Sequence, residues 1–153
     1  RKAIDALNGF RSDEGKILQS EFNKRLVNLE TLSKEVETID PERSTKIQEK
    51  LKSSLETLQV EVDQNRFEQE LIYYLEKYDI TEEKVRLKNH IDYFKNTLEN
   101  PVSNGKKLGF ITQEMGREIN TIGSKANHAD LQKLVIQMKD ELEKIKEQLL
   151  NVL

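Results

Sequence analysis

The stretch "NHADLQKLVIQMKDELEKIKEQLLNV", residues 127–152, decides the fold class of this 153-residue chain. Its apolar residues recur at alternating steps of four and three, which is the heptad spacing of a helix that buries one narrow seam. The seam consists of Leu131, Val135, Met138, Leu142, Ile145, Leu149 and Val152. We therefore predict a C-terminal helix over 127–152 that makes a coiled-coil-like contact within the subunit or between subunits.

Composition predicts helices upstream as well. Apolar and charged residues each make up 35% of the chain, and only two prolines and six glycines interrupt it. That balance suits long helices with one buried stripe, whereas a β-rich fold would need more turn residues. We predict an all-α, elongated fold in a single helical domain over residues 1–153.

The N-terminal half is predicted to be a long antiparallel helical hairpin over residues 2–78. Its first helix ends at Ile39 and its second begins at Pro41, because Asp40 is a good N-cap and proline suits the first helical position. The apolar pattern of the second helix changes phase near Gln64, which predicts a bend or a change of packing partner there.

Two shorter helices are predicted in a signature region over residues 79–126. The third helix lies in "YDITEEKVRLKNHIDYFKNTLENP", residues 78–101, and the fourth in "GKKLGFITQEMGREINTIGSK", residues 105–125. Each combines an apolar stripe at helical spacing with charged and amide side chains on its other faces.

Composition also excludes several classes of function. The chain has no cysteine, so it has no disulfide framework, thiolate nucleophile or cysteine-based zinc site. It has no Walker phosphate loop, HExxH or GxSxG motif. No apolar run approaches the roughly 20 residues that span a bilayer, so we expect a cytoplasmic protein with no membrane partner. Arg1 is not a natural start, and we expect the chain to be a fragment.

The helix over 105–125 separates its apolar stripe from an unusual polar sector. At about 100° per residue, that sector contains Gln113, Arg117, Asn120 and Ser124, with Glu114, Glu118 and Thr121 beside it. An arginine among amides and hydroxyls can hold a phosphate, and two carboxylates one turn apart can ligate a hard metal or act as general acid and base. A solvated face or a polar helix–helix interface explains the same pattern, and spacing alone favours these two interpretations.

The same helix is locally basic within an acidic chain. Its basic residues Lys106, Lys107, Arg117 and Lys125 give +4 and its two glutamates give −2, a local charge of +2. The whole chain carries −3, so any contact with a polyanion is expected to be local.

The third helix offers a second polar set. Glu83 and His90 lie two turns apart, next to a sector that contains Glu82 and Arg86. A histidine beside a carboxylate can transfer protons near neutral pH or bind a borderline metal. Acidic residues at a helix start and a histidine at the edge of an apolar stripe also occur without any function. The other histidine, His128, is predicted to be a capping residue.

Taken together, these stretches resemble the bacterial YicC/YloC family, long labelled stress-induced. The signature is "GKKLGFITQEMGREINTIGSK", and "NRFEQEL" with "YDITEEKVRLKNHI" resembles the family's central pattern. "EGKIL", "KRL" and "EKIKEQLLNV" also fit, so the resemblance covers nearly the whole chain but only the C-terminal half of a family member. It implies a further N-terminal domain before Arg1. Gly109 and Gly116 depart from the pattern, since many relatives have Asp and Asn there.

The resemblance implies a metal-dependent endoribonuclease that acts on single-stranded RNA with Mn²⁺ or Mg²⁺. It also implies a homo-oligomer, in the family a hexamer. The motif positions outside the third and fourth helices are Arg66, Gln69, Glu70 and Asp79.

The resemblance marks motif positions without assigning their individual roles, and we hypothesise that the third and fourth helices face one another across a cleft. The candidate catalytic residues are His90, Glu114, Arg117 and Glu118. The candidate RNA-binding residues are Arg86, Lys106, Lys107, Gln113, Asn120, Ser124 and Lys125. The candidate metal ligands are Glu82, Glu83, His90 and Glu114.

Two non-enzymatic functions stay open beside this one. The chain can be an oligomerisation or scaffold module, which the C-terminal heptad pattern supports, or a passive RNA-binding adaptor. For the enzyme, the sequence leaves open whether water or the RNA 2′-hydroxyl attacks the phosphate.

Overall fold

The computed structural model describes residues 2–57, 63–99 and 105–152, with side chains over 15–57, 63–99 and 105–150. These ranges contain five helices and no strand, which confirms the all-α prediction. The helices are α1 (Lys2–Thr57), α2 (Gln64–Lys77), α3 (Thr81–Glu99), α4 (Gly105–Lys125) and α5 (Ala129–Val152). None of the helices in the described ranges is long and apolar enough to cross a membrane.

Four of the helices, α1, α3, α4 and α5, pack as a bundle in which neighbours are antiparallel. Around the bundle, α3 contacts α1 and α4, and α5 contacts α4 and α1. Ion pairs show the direction of α3 relative to α1, because Lys84 pairs with Asp40 while Lys95, further along α3, pairs with Glu30, earlier in α1. Short connections between antiparallel neighbours are typical of such bundles.

The predicted apolar stripes meet in one core. It includes Phe22, Leu26, Leu29, Val36, Leu87, Ile91, Phe94, Leu108, Ile111, Met115, Ile119 and Ile122, together with the α5 seam from Leu131 to Leu149. The predicted seam residue Val152 lies outside the residues whose side chains are described. The seam is buried from Leu131 to Leu149, and α5 packs on α1 and α4 of the same chain. Each large apolar side chain buried in this way contributes roughly 1.5–3 kcal/mol. The heptad contact therefore lies within the subunit.

The predicted helix boundary at Pro41 is wrong, because α1 continues through it to Thr57. Proline cannot donate to the carbonyl four residues back, which normally breaks a helix. Here the Asp40 carboxylate does not cap a helix start. It accepts hydrogen bonds from Arg43 at 2.6 Å and from Lys84 of α3 at 2.7 Å. These contacts and the core on either side hold this segment of α1 helical against the local signal.

Residues 58–62, between α1 and α2, lie outside the described residues. The α2 helix begins at Gln64, where the apolar pattern changes phase, and Asp63 caps it by accepting the N–H of Asn65. Near its end, α2 returns to the middle of α1, because Arg43 donates to the Tyr78 carbonyl at 2.6 Å. The 14-residue α2 therefore runs antiparallel to the second part of α1, and the predicted hairpin of two long arms that meet at Pro41 is wrong.

Replacing Pro41 by Ala should raise the free energy of unfolding by about 1–3 kcal/mol. Alanine restores the missing N–H donor and removes the ring from the preceding turn. Urea denaturation measures the change, with Gln48→Ala at an exposed position of the same helix as a control that should stay within about 0.5 kcal/mol. An unchanged or lower stability of Pro41→Ala would mean that a helix starts at this proline.

Candidate functional site

The α3 and α4 helices bring the two predicted polar sets together at one seam. They are antiparallel and in direct contact, because Arg86 Nε donates to Glu118 Oε1 at 3.0 Å and Lys125 Nζ donates to Glu83 Oε1 at 2.8 Å. The predicted cleft between them is therefore a packed seam along this part of the two helices.

Two carboxylates lie beneath the seam surface. The side chains of Glu83 and Glu118 are 5% and 7% exposed. Burying an ionised carboxylate costs several kcal/mol unless a cation and hydrogen bonds compensate. Lys125 supplies that compensation for Glu83, and Arg86 supplies it for Glu118. These two predicted site residues are thus held in ion pairs that also fix the register of the helices.

Arg86 bridges the two helices. In addition to Glu118, its guanidinium contacts Glu82 Oε2 at 3.1 Å and Glu83 Oε1 at 3.6 Å. The hydrogen bonds that Arg86 donates to Glu118 and then to Glu82 raise the pKa of Arg86 above its ordinary value. The side chain is still 46% exposed, so one edge of the guanidinium faces solvent.

Lys125 closes the end of the seam. Its ammonium donates to Glu83 and to the backbone carbonyl of Asp79 at 3.0 Å, which leaves one of three N–H donors for another ligand. The carboxylate of Asp79 in turn accepts from the Thr81 hydroxyl at 2.6 Å and from the Thr81 backbone N–H at 3.0 Å. These bonds from Thr81 hold the pKa of Asp79 below its usual value.

Other predicted site residues are not engaged in side-chain contacts. Over the ranges with described side chains, no hydrogen bond or ion pair is made by the side chains of Lys106, Gln113, Glu114, Arg117 and Asn120. All are exposed except Glu114, which is half-buried. The Ser124 hydroxyl bonds back to the Asn120 carbonyl at 3.0 Å, and Lys107 lies over the Tyr93 ring.

His90 and Glu114 lie at one level on the two opposite sides of the seam, and no hydrogen bond joins them among the described residues. One helical turn separates His90 from Arg86, and one turn separates Glu114 from Glu118, so the Arg86–Glu118 bond sets the two side chains at the same level. The Nε2 atom of His90 is buried and finds no hydrogen-bond partner among the described residues, and the same holds for Oε2 of Glu83. Buried polar atoms without partners are rare, and these two mark positions where a ligand or proton can be accommodated.

The predicted metal ligands do not form a complete site. Within the described ranges, no three His, Asp or Glu side chains converge on a point that could hold a metal ion. Glu82 and Glu83 are both bonded to Arg86, a cation that competes with a metal for the same oxygens. The described residues therefore do not fit a divalent metal by themselves, and we derive no chemical step through one.

One cluster at this end of the bundle was missed by sequence reasoning. The side chain of Arg43 is 3% exposed, and its guanidinium donates to the Asp40 carboxylate. It also donates to the backbone carbonyl of Tyr78 at 2.6 Å and to that of Lys125 at 3.0 Å. The i,i+3 spacing of Asp40 and Arg43 was visible in the sequence, but their position beside two helix ends was not.

The remaining predictions lie elsewhere. The motif residues Arg66, Gln69 and Glu70 are exposed on α2, and the contacts of α2 are with α1. The structure therefore does not bring them to the α3–α4 seam. His128 caps α5 as predicted, because its Nδ1 accepts the N–H of Leu131 at 3.3 Å.

The two glycines that depart from the family pattern differ in their surroundings. A Cβ at Gly109 would meet nothing within 4 Å, so an aspartate fits there on the surface. A Cβ at Gly116 would lie 3.3 Å from Cδ2 of Leu142, so a side chain there would press on α5.

Replacing Lys125 by Met should lower the free energy of unfolding by about 2 kcal/mol, because the buried Glu83 carboxylate loses its nearest cation. Urea denaturation measures the loss, and Lys106→Met, at an exposed and unpaired lysine of the same helix, is the matched control. Adding Glu83→Gln to Lys125→Met should restore stability, since an amide carries no unpaired charge. Equal stability of the two lysine variants would show that the ammonium of Lys125 has no structural role.

Comparison with known proteins identifies relatives across this chain. The family model described as "Endoribonuclease YicC-like, C-terminal" matches residues 34–153. A protein of Clostridioides difficile (strain 630) named "Probable endoribonuclease YicC" is 40% identical over 153 residues, which cover 98% of this chain and 52% of that protein. A protein of the same name from Haemophilus influenzae is 32% identical over 142 residues, which cover 93% of this chain and 50% of that protein. The chain thus spans about half the length of the curated relatives it matches.

Proposed function

The chain belongs to the YicC-like endoribonuclease family, whose C-terminal model it matches, and from this premise we propose that it forms the RNA-cleaving half of an endoribonuclease. The observation that carries the proposal is the register of the α3–α4 seam, which sets His90 opposite Glu114 one turn from the Arg86–Glu118 bond. A histidine and a carboxylate can act as acid and base, and two arginines lie nearby: Arg86, bonded to Glu118, and Arg117, which is unengaged among the described residues. These groups are the ones that phosphodiester cleavage requires.

The unengaged side chains take the direct roles. Glu114 accepts the proton of the attacking hydroxyl, whose oxygen bonds to phosphorus as the bond to the 5′ oxygen breaks. His90 in its protonated form gives a proton to that leaving oxygen. Arg117, which has no intramolecular partner in the described residues, neutralises charge on the phosphate with its planar set of donors.

The engaged side chains take supporting roles. Glu118 is buried and acts through Arg86, whose orientation it holds, so we assign it to positioning rather than to direct contact with RNA. The solvent-facing edge of Arg86 and the remaining donor of Lys125 contact phosphates. Lys106, Gln113, Asn120 and Ser124 line the exposed part of α4 along which the strand would lie.

We also propose that cleavage needs Mn²⁺ or Mg²⁺. When bound, such an ion would supply positive charge beside the phosphate. Since the described residues do not complete a site, ligands beyond the predicted Glu82, Glu83, His90 and Glu114 must come from RNA phosphates or from the other half of the full-length protein. Among the described residues, Glu114 is the more accessible carboxylate for such an ion, because it is half-buried and unengaged whereas Oε2 of Glu83 is buried.

The substrate we propose is single-stranded RNA, cleaved in the cytoplasm by a homo-oligomer that includes the N-terminal half seen in the longer relatives. The rival scaffold function loses its main support, because the heptad seam is buried within one chain. A passive RNA-binding adaptor stays an outcome of the experiment below.

The test is cleavage of end-labelled single-stranded RNA by the full-length protein. Glu114→Ala and Arg117→Ala should each slow cleavage by about 100-fold or more, because each removes a group that acts in the transition state. Lys139→Ala and Glu147→Ala, at exposed positions of α5, are matched controls for charge and should cleave normally. Circular dichroism should show all four variants folded. Wild-type rates in both α4 variants would refute the assignment.

The same assay separates the functions. Fragments that require added Mn²⁺ or Mg²⁺ and vanish with a chelator support the metal-dependent enzyme. A shifted but intact RNA band supports the adaptor, and neither result supports the scaffold. A 2′-O-methyl group at the scissile nucleotide should block cleavage only if the 2′-hydroxyl is the nucleophile.

A further inference from the structure

Two aromatic side chains at the α3–α4 seam are exposed although their chain neighbours form the core. Phe110 is 63% exposed and Tyr93 is 45% exposed, whereas Ile111 and Phe94, the next residues on each helix, are buried. Adjacent helical residues point about 100° apart, so burying one leaves the other outside. Both rings therefore offer apolar faces to solvent beside the candidate site.

Cations border these rings. The Nζ atom of Lys107 lies 4.9 Å from the centroid of the Tyr93 ring, which ties α4 to α3 at this level, and Lys106 is exposed beside it. Phe110 follows Lys107 by about one turn and precedes Arg117 by two turns, or about 10 Å along the helix. Apolar rings and positive charges thus alternate along one strip of the seam.

We propose that Tyr93 and Phe110 form a base-stacking subsite for unpaired nucleotides of single-stranded RNA. The inference rests on the proposed function and deepens it by naming the side chains that hold the bases. Proteins that bind single strands combine aromatic rings, on which bases stack, with cations that follow the phosphates. Lys106 and Lys107 supply those cations at one end of the strip, and Arg117 supplies one at the reacting phosphate.

The chemistry of the strip favours this occupant. In a duplex the base faces are stacked on one another, so they cannot stack on Tyr93 or Phe110. A second copy of the chain would also cover exposed rings, but the centres of protein–protein interfaces are depleted of lysine. Here Lys106 and Lys107 lie beside both rings. A polyanion neutralises the charges of these two lysines, whereas an apolar protein surface does not.

The experiment measures binding of a fluorescein-labelled oligoadenylate of about 12 nucleotides to the full-length protein in a chelating buffer. Phe110→Ala and Tyr93→Ala should each weaken binding about tenfold, because each loses one stacked base. Phe110→Trp and Tyr93→Phe keep a ring and should bind within about twofold of the wild type. Tyr73→Ala is the matched control, since Tyr73 is 58% exposed on α2, away from the seam.

Salt dependence distinguishes stacking from charge. Phe110→Ala should leave the slope of log K against log salt unchanged, whereas Lys106→Ala should reduce its magnitude by about 0.7, the effect of one lost phosphate contact on a single strand. Equal binding of Phe110→Ala, Tyr93→Ala and Tyr73→Ala would overturn the proposal. Smaller assemblies of Phe110→Ala in light scattering, with unchanged affinity for RNA, would assign the rings to a subunit contact instead.

Failure of this inference can be told apart from failure of the proposed function. If the wild type cleaves RNA and Phe110→Ala binds and cleaves equally well, the stacking subsite is wrong and the nuclease stands. If binding depends on the two rings but no fragments form with any metal, the subsite stands and the protein is an RNA-binding adaptor.

Discussion

The buried guanidinium of Arg43 is the interaction on which the helix arrangement depends. It bonds to a carboxylate one turn back in α1 and to the carbonyls at the ends of α2 and α4. The last carbonyls of a helix have no partner within that helix, and a guanidinium with five donors in a fixed fork can satisfy two helix ends at once. One residue thereby ties the short arm of the hairpin and the end of α4 to the middle of α1.

Lys125 connects the hydrogen bonds of Arg43 to the α3–α4 seam. Arg43 holds its carbonyl, while its ammonium holds Glu83 and the carbonyl of Asp79 at the start of α3. With the Arg86–Glu118 bond, these contacts fix α3 and α4 in one register. The seam therefore has two layers: buried carboxylates that are paired with cations, and above them side chains that have no partner in the part of the chain that the structure describes. Pre-organisation of this kind is what a catalytic or binding surface requires.

A local signal and packing disagreed at Asp40–Pro41 and agreed at Gln64. The pair Asp40–Pro41 has the chemistry of a helix start, yet α1 continues through it. The Asp40 carboxylate instead accepts hydrogen bonds from Arg43, one turn along α1, and from Lys84 of α3. The weaker signal, a change in the phase of the apolar pattern at Gln64, coincides with the start of α2. The phase of an apolar stripe shows which neighbouring helix the stripe packs against. Packing of such a stripe contributes more to the stability of a helix than a single N-cap, which contributes about 1 kcal/mol.

The sequence by itself determined the helical class, the buried stripes of α3, α4 and α5 and the family, because periodicity and motif are properties of one segment at a time. It could not distinguish Glu114 from Glu118, which occupy the same polar sector of α4. Only the tertiary structure placed Glu118 beneath Arg86 and left Glu114 opposite His90. That choice depends on the register between two helices, which is set by a common core and by ion pairs between residues far apart in the chain.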